Sequence, residues 1–221
     1  MIALNNINKS FQDGEKRVNH VLRDLSLQVA DGEFVAIKGA SGAGKTTLLN
    51  ILGTLLKHDS GSYRLDGKDL TATDMDLAAI RNAKIGFVFQ DHRLMPQFDV
   101  LQNILLPTLA TKNSSTAEEV AYAQKLMELT HIASLAHQYP VTLSGGESSR
   151  VAVCRALVMK PAVLLADEPT GQLDRENALN IAQLLADMNK ELHTTIVMVT
   201  HSDEVSSVAD RVLNLKEGKI A

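Results

Sequence analysis

The stretch Gly39-Ala40-Ser41-Gly42-Ala43-Gly44-Lys45-Thr46-Thr47 constrains this chain more than any other. It matches G-x-x-x-x-G-K-[ST], and its flanks suit the motif. Phe34 to Lys38 ahead of it is a short apolar run that predicts a buried strand. Leu48, Ile51, Leu52 and Leu55 behind it recur at helical spacing. Strand, glycine-rich loop and helix together make a cradle for a phosphate chain. The glycines let the backbone turn tightly, so that successive N–H groups converge on phosphate oxygens at a helix N-terminus. Lys45 is then placed to reach the β- and γ-phosphates, and the Thr46 hydroxyl to hold Mg²⁺. A glycine-rich turn without a ligand has no packing reason to open its helix with Lys-Thr. The chain is expected to bind a nucleoside triphosphate.

Length and composition narrow the setting. With 221 residues the chain suits one large domain, or a core with a small inserted lobe. A formal charge of −4 gives no general pull toward nucleic acid or an anionic membrane surface. The single cysteine, Cys154, rules out an internal disulfide and reads as a small core residue in an apolar helix. Met1 to Asn6 lacks the basic and apolar regions of a signal peptide. The longest apolar runs, such as Ala162 to Ala166, are far too short for a membrane span. A cytoplasmic protein is expected, with any membrane association made through a partner.

Along the chain, Ile2–Ser10 and Leu25–Val29 predict strands, with a polar turn at Gln12-Asp13-Gly14-Glu15. Phe11 reads either as an edge core aromatic or as a ring on which adenine stacks, a contact worth roughly 1–3 kcal/mol. Gly61 to Gly67 predicts a short strand ending in a turn. Ile85 to Phe89 predicts a buried strand that ends at Gln90, whose amide could reach a metal ion or an attacking water. From Asp91 to about Lys160 the pattern turns helical, with Pro96 and Pro107 as breaks. Ser115-x-x-Glu118 predicts a capping box ahead of Val120, Ala123, Leu126, Met127 and Leu129. Leu94, Met95 and Phe98 are more apolar than a solvated loop should be, and predict either lobe packing or a partner groove.

Leu143-Ser144-Gly145-Gly146-Glu147 opens a second glycine-rich loop onto a helix, buried to judge by Val151, Ala152, Cys154, Ala156, Leu157 and Val158. That is a second anion site. A nucleotide has one phosphate tail, so the economical reading assigns this loop to a nucleotide held by another copy of the chain. Val163 to Ala166 then predicts a buried strand closed by Asp167 and Glu168. Asp167 is suited to orient Mg²⁺ and Glu168 to accept a proton from the lytic water. Two adjacent acids closing an apolar strand are costly unless paired or metal-bound. Thr195 to Thr200 predicts a further buried strand ending at His201. In a parallel sheet Gln90, Glu168 and His201 share the edge next to the phosphates.

With the P-loop, Gln90, Leu143–Glu147, Val163–Glu168, Asp174 and His201 in this order, the whole chain resembles the nucleotide-binding subunit of an ABC transporter. The resemblance implies an α/β P-loop NTPase fold: a RecA-like core with an antiparallel β subdomain, plus an inserted α-helical signature subdomain. It implies a single domain over residues 1–221, with the core at 1–90 and 161–221 and the helical part at about 91–160. It implies ATP and Mg²⁺ as ligands, with Thr46, Gln90 and Asp167 at the metal. Glu168, His201, Gln90 and Lys45 are implied in catalysis, and Phe11 at the adenine. Ser144, Gly145 and Gly146 would close on the opposite copy's γ-phosphate, beside Asp174. The partners implied are a second copy, integral membrane permease subunits and a periplasmic or extracellular accessory protein, with no nucleic acid. That places the chain on the inner face of the cell membrane, held there by the permease.

Ala166–Asp174, Phe89–Pro96 and Asn103–Pro107 look like the branch of lipoprotein-releasing, macrolide-exporting and cell-division ATPases. Three positions depart from the usual pattern. Ser148-Ser149 stand where longer polar or basic residues are common, Gln172 replaces an asparagine, and Gly53-Thr54 replaces Gly-Gly. None removes a catalytic group. An importer ATPase is the alternative within the class. A soluble ABC ATPase acting on DNA or ribosomes is disfavoured by the single half, the lone cysteine and the lack of a basic patch. A P-loop kinase should lack the Leu-Ser-Gly-Gly-Glu loop.

Overall fold

The computed structural model describes residues 1–13, 17–70, 76–110 and 112–220. The chain opens with an antiparallel ribbon, β1 (Ile2–Asp13) and β2 (Arg17–Val29), which sets Ile2 opposite Val29. Both strands run longer than predicted. In the outer half Phe11, Gln12 and Val18 to His20 are exposed, so backbone pairing continues where apolar alternation has stopped. Gly14 and Glu15 of the predicted turn lie outside the described residues.

Next come β3 (Phe34–Lys38), α1 (Lys45–Leu52), β4 (Ser60–Leu65) and β5 (Lys68–Asp69). Strands β2-β1-β4-β5, in that order, make a four-stranded antiparallel sheet. The chain continues through α2 (Leu77–Lys84) and β6 (Ile85–Val88) into a purely helical stretch. This holds α3 (Val100–Leu105), α4 (Ala117–Leu129) and α5 (Gly145–Leu157). It returns through β7 (Val163–Asp167), α6 (Arg175–Leu192), β8 (Thr195–Thr200), α7 (Asp203–Ser206), β9 (Arg211–Lys216) and β10 (Lys219–Ile220).

The second sheet has the order β10-β9-β3-β8-β7-β6. Strands β9 to β6 are parallel to their neighbours, and β10 closes the edge antiparallel. Its central strands are apolar throughout because both faces are covered. Alternate side chains serve opposite cores. Phe34, Ala36, Leu164, Ala166, Ile196 and Met198 pack with α3 to α6. Val35, Ile37, Leu165, Val197 and Val199 pack with α1 and the antiparallel sheet. The sheet therefore separates a helical layer from a layer that carries the P-loop helix.

Two local details matter for the site. The capping box of α4 is Thr116 with Glu119, not Ser115 with Glu118: the Thr116 hydroxyl accepts from the Glu119 N–H and the Glu119 carboxylate from the Thr116 N–H. Ser115 is engaged elsewhere, its hydroxyl 2.7 Å from that of Thr108. On β6, a Cβ at Gly86 would come within 2.2 Å of the Ala156 carbonyl oxygen. Glycine there lets α5 lie directly against the strand that leads to Gln90.

Candidate active site

Register brings the predicted residues to one edge. Lys38 pairs with Thr200, Asp167 with Val199, and Val88 with Ala166, so β3, β8, β7 and β6 end level with one another. The loop after β3 is the P-loop, the loop after β6 starts at Phe89-Gln90, β7 ends in the two acids, and His201 follows β8. This is the carboxyl edge, where ligands of open parallel sheets bind.

Helix α1 starts at Gly44, whose φ of 99° no ordinary side chain favours. It has no side-chain cap and no acidic residue in its first turn. Its leading N–H groups and the positive end of its dipole therefore suit an anion. Lys45 Nζ donates to the carbonyls of Gly39 at 2.8 Å and Ala40 at 3.2 Å, and lies 3.7 Å from Glu168 Oε1. A cavity of about 360 Å³ opens over these groups, lined by Val21, Ser41, Gly42, Gly44, Lys45, Thr46, Thr47, Gln90 and Glu168. Sequence reasoning missed Val21. It belongs to β2, and only the folding of that ribbon against α1 brings it there.

Successive strand residues point to opposite faces, so Asp167 and Glu168 would diverge if the strand continued. Glu168 instead takes φ 45°, a left-handed conformation costing about 1–3 kcal/mol for a non-glycine residue. Its N–H remains in the sheet, donating to Val199 O at 3.0 Å. The turn leaves Asp167 Oδ1 accepting from the Thr46 hydroxyl at 3.3 Å and Glu168 Oε2 2.9 Å from His201 Nδ1. Burial pushes the Asp167 carboxyl above its ordinary range, and the adjacent Glu168 charge adds to this.

A second recess of about 400 Å³ joins Thr46 and Gln90 to Asp167, Gln172 and Arg93. A threonine hydroxyl, a carboxylate and an amide oxygen are hard donors that fit Mg²⁺. Among the described residues no three His, Cys, Asp or Glu side chains gather as a metal cluster. A cation at Thr46 and Asp167 would thus take most of its ligands from phosphate and water.

Five predicted residues, Phe11, Ser144, Gly145, Gly146 and Asp174, are not among those lining the cavity over Lys45. Phe11 is 42% exposed on β1, opposite Asn19 of the ribbon that carries Val21. Ser144 caps α5: its hydroxyl accepts from the Glu147 N–H, and the Glu147 carboxylate accepts the Ser144 N–H at 2.7 Å. Those bonds hold the Glu147 carboxyl below its ordinary range. Gly145 and Gly146 lie against Leu173 and Asn177, not against the P-loop of their own chain. Asp174 caps α6, with Oδ1 accepting from the Asn177 N–H at 2.9 Å, a bond that lowers its pKa.

Between Gln90 and α5 lies an arrangement that sequence gave no sign of. His92 is buried, with Nε2 2.7 Å from Ser149 Oγ, and Ser149 is wholly buried. Beside it a groove of about 590 Å³ runs between α2, β6, α5 and the turn after α3. Phe87, Phe89, Leu106, Pro107 and Met159 line it, with Arg81, Arg93 and Arg155 at its polar positions. Met95 and Phe98 are not among its lining residues.

This fold and this edge define a P-loop nucleoside triphosphatase whose second glycine-rich loop lies apart from its own phosphate cradle. Residues 22–171 match the ABC transporter family, and the chain belongs to it. It is an ATP-binding and ATP-hydrolysing subunit of a transporter. It is 43% identical to the lipoprotein-releasing system ATP-binding protein LolD of Bordetella pertussis, over 97% of this chain and 92% of that one. It is 42% identical to the macrolide export ATP-binding/permease protein MacB of Rhodopirellula baltica, over all of this chain and 32% of that one. The dimeric structure of a bacterial ABC transporter cassette superposes with a TM-score of 0.88 at 38% identity, covering 100% of this chain and 96% of that one. The same cassette bound to ADP and Pi also gives 0.88, at 37% identity, over the same shares of the two chains.

Proposed function

We propose that this chain powers lipoprotein release or a related export step by closing as a homodimer on two ATP molecules. Each site would take its P-loop from one copy and Ser144-Gly145-Gly146 from the other. The observation that carries this is the placement of the two glycine-rich loops: Gly145 and Gly146 lie on the Leu173–Asn177 flank, outside the cavity over Lys45. Helix α5 thus presents its signature to another molecule. The dimeric cassette supports the same reading.

Within a site, Lys45 and the α1 N-terminus hold the β- and γ-phosphates. Thr46, Asp167 and Gln90 would hold Mg²⁺, which would supply charge neutralisation at the phosphate oxygens. Phe11 supports the adenine. Glu168 accepts the proton of the attacking water, and its bond to His201 keeps the carboxylate aimed at the γ-phosphate end. Asp174 holds the start of α6 beside the partner's site.

No helix among the described residues is long and apolar enough to cross a membrane. In this reading the chain works beneath permease subunits at the inner face, and they carry the contact with any periplasmic or extracellular accessory protein. The groove between β6 and α5 is apolar enough to receive a short cytoplasmic helix of the permease. Residues 91–160 would move as a unit against 1–90 and 161–221.

Glu168→Gln tests the core of this. It should bind ATP normally, hydrolyse it about 10²- to 10⁴-fold more slowly, and run as a dimer in size exclusion with Mg-ATP. Wild-type hydrolysis in that variant would assign the base elsewhere, and a persistent monomer would count against closure on two copies.

A further inference from the structure

The loop after β6 is held in a way that the catalytic roles above do not account for. His92 and Arg93 are consecutive non-glycine residues with φ of 55° and 49°. Two left-handed residues in a row persist only where surrounding structure fixes them. Here α5 supplies the fixing groups. The Arg155 guanidinium donates to the carbonyl of Arg93 at 2.7 Å and to that of His92. The Arg93 guanidinium in turn lies 4.1 Å from the centre of the Phe89 ring.

The His92 side chain makes the third tie. Its Nε2 is 2.7 Å from Ser149 Oγ, and Ser149 Oγ is 3.0 Å from the Gly145 carbonyl. A carbonyl can only accept, so the single hydroxyl proton of Ser149 goes to Gly145 O. With the hydroxyl donating to Gly145 O, the tautomer that carries the proton on Nε2 of His92 donates into Ser149 Oγ. The result is a directed chain, His92 N–H to Ser149 O–H to Gly145 C=O. It starts two residues after Gln90 and ends on a signature glycine. Ser149 is fully buried and His92 is 9% exposed, so water does not compete for these bonds. A long polar side chain at position 149, usual in the resemblance noted above, would need the space the imidazole fills.

We propose that His92 and Ser149 are positioning residues that set Gln90 and Gly145 in register, so that one chain's metal-side contact and its partner-side contact move together. The inference rests on the roles given above to Gln90 and Gly145. Buried hydrogen-bonded chains act as units, so removing either end should cost nearly the whole coupling.

The test uses the full chain and measures ATP affinity, kcat and melting temperature for Ser149→Ala, His92→Phe, the double variant and His92→Gln. Alanine is a better helix former than serine, so Ser149→Ala should not weaken α5. ATP affinity should stay within about twofold, because the P-loop is untouched. Each single variant should lose about three- to thirtyfold in kcat, the range of a coupling network. The double variant should be no slower than the worse single one. His92→Gln, which keeps an N–H donor, should retain most of the turnover. Wild-type kcat in both single variants would overturn the proposal, as would losses that multiply in the double variant. A loss in His92→Gln equal to that of His92→Phe would also overturn it. Gln90→Ala and Gly145→Asp run alongside: if both hydrolyse ATP normally, the roles on which the inference rests are themselves wrong. If they are inactive while Ser149→Ala and His92→Phe are both normal, the His92–Ser149 proposal alone is wrong.

Discussion

Among the described residues Lys45 is the cation that the carbonyls of Gly39 and Ala40 share with the Glu168 carboxylate. Bringing phosphate between these groups replaces neutral contacts with charged ones. Lys45→Ala should therefore weaken ATP binding about 10- to 100-fold, the worth of a hydrogen bond between charged groups. Titration calorimetry with unchanged affinity would remove the P-loop assignment. Cys154 shows the opposite use of burial. It is fully enclosed, with Sγ 3.1 Å from the Thr130 hydroxyl, and its thiol is pushed up to about 12. A thiol reagent at about pH 8 should leave the folded chain unlabelled and react on unfolding. Rapid labelling of the native protein would show that α5 opens. Residue types at the strand ends were legible in the sequence, since Gln90, Asp167, Glu168 and His201 each close an apolar run. The contact of His92 with Ser149 was not, because the two residues are 57 positions apart and only tertiary packing joins them.

At the scale of elements, β3, β7 and β8 were legible because a strand covered on both faces has to be apolar throughout. Strand β9 is mostly exposed, and the outer half of β2 is too, so backbone pairing rather than side-chain pattern defines them. The α4 cap fell one residue from its prediction because Ser115 and Thr116 both precede an acid by three positions. Tertiary contact decided between them, since Ser115 turns to Thr108. Two variants probe α5. Gly86→Ala should destabilise the protein by about 2 kcal/mol or more in urea titration, since a methyl group there meets backbone. An unchanged midpoint would mean that α5 can shift freely on β6. Glu147→Gln tests the cap. The folded Glu147 carboxyl is held below its ordinary range, so its contribution is present above that range and fades as pH falls through it. The wild type should be more stable than Glu147→Gln near about pH 7, and the gap should close toward about pH 3. A gap that is constant with pH would show that ionisation of Glu147 does not stabilise the cap.

For the whole molecule, one sheet separates the core that carries the P-loop helix from the helical core that carries α5. Gly145→Asp should leave ATP binding by the single chain intact while blocking hydrolysis and Mg-ATP-dependent dimerisation. Loss of binding by the monomer would show that the loop serves its own nucleotide. Helix α5 joins these regions: Ser144 caps one end, and near the other Arg155 and Ala156 line the apolar groove, with Ala156 against Gly86. The span from Ser144 to Ala156 is about 18 Å at 1.5 Å per residue. A stiff rod of that length is a lever with its fulcrum at the Gly86 contact. Tilting it by roughly 5° swings the signature end through about 1.6 Å, which is more than the difference between a made and a broken hydrogen bond. Under the docking proposed above, a helix seated in the groove would need only a tilt of that size in α5 to change whether the far end meets phosphate.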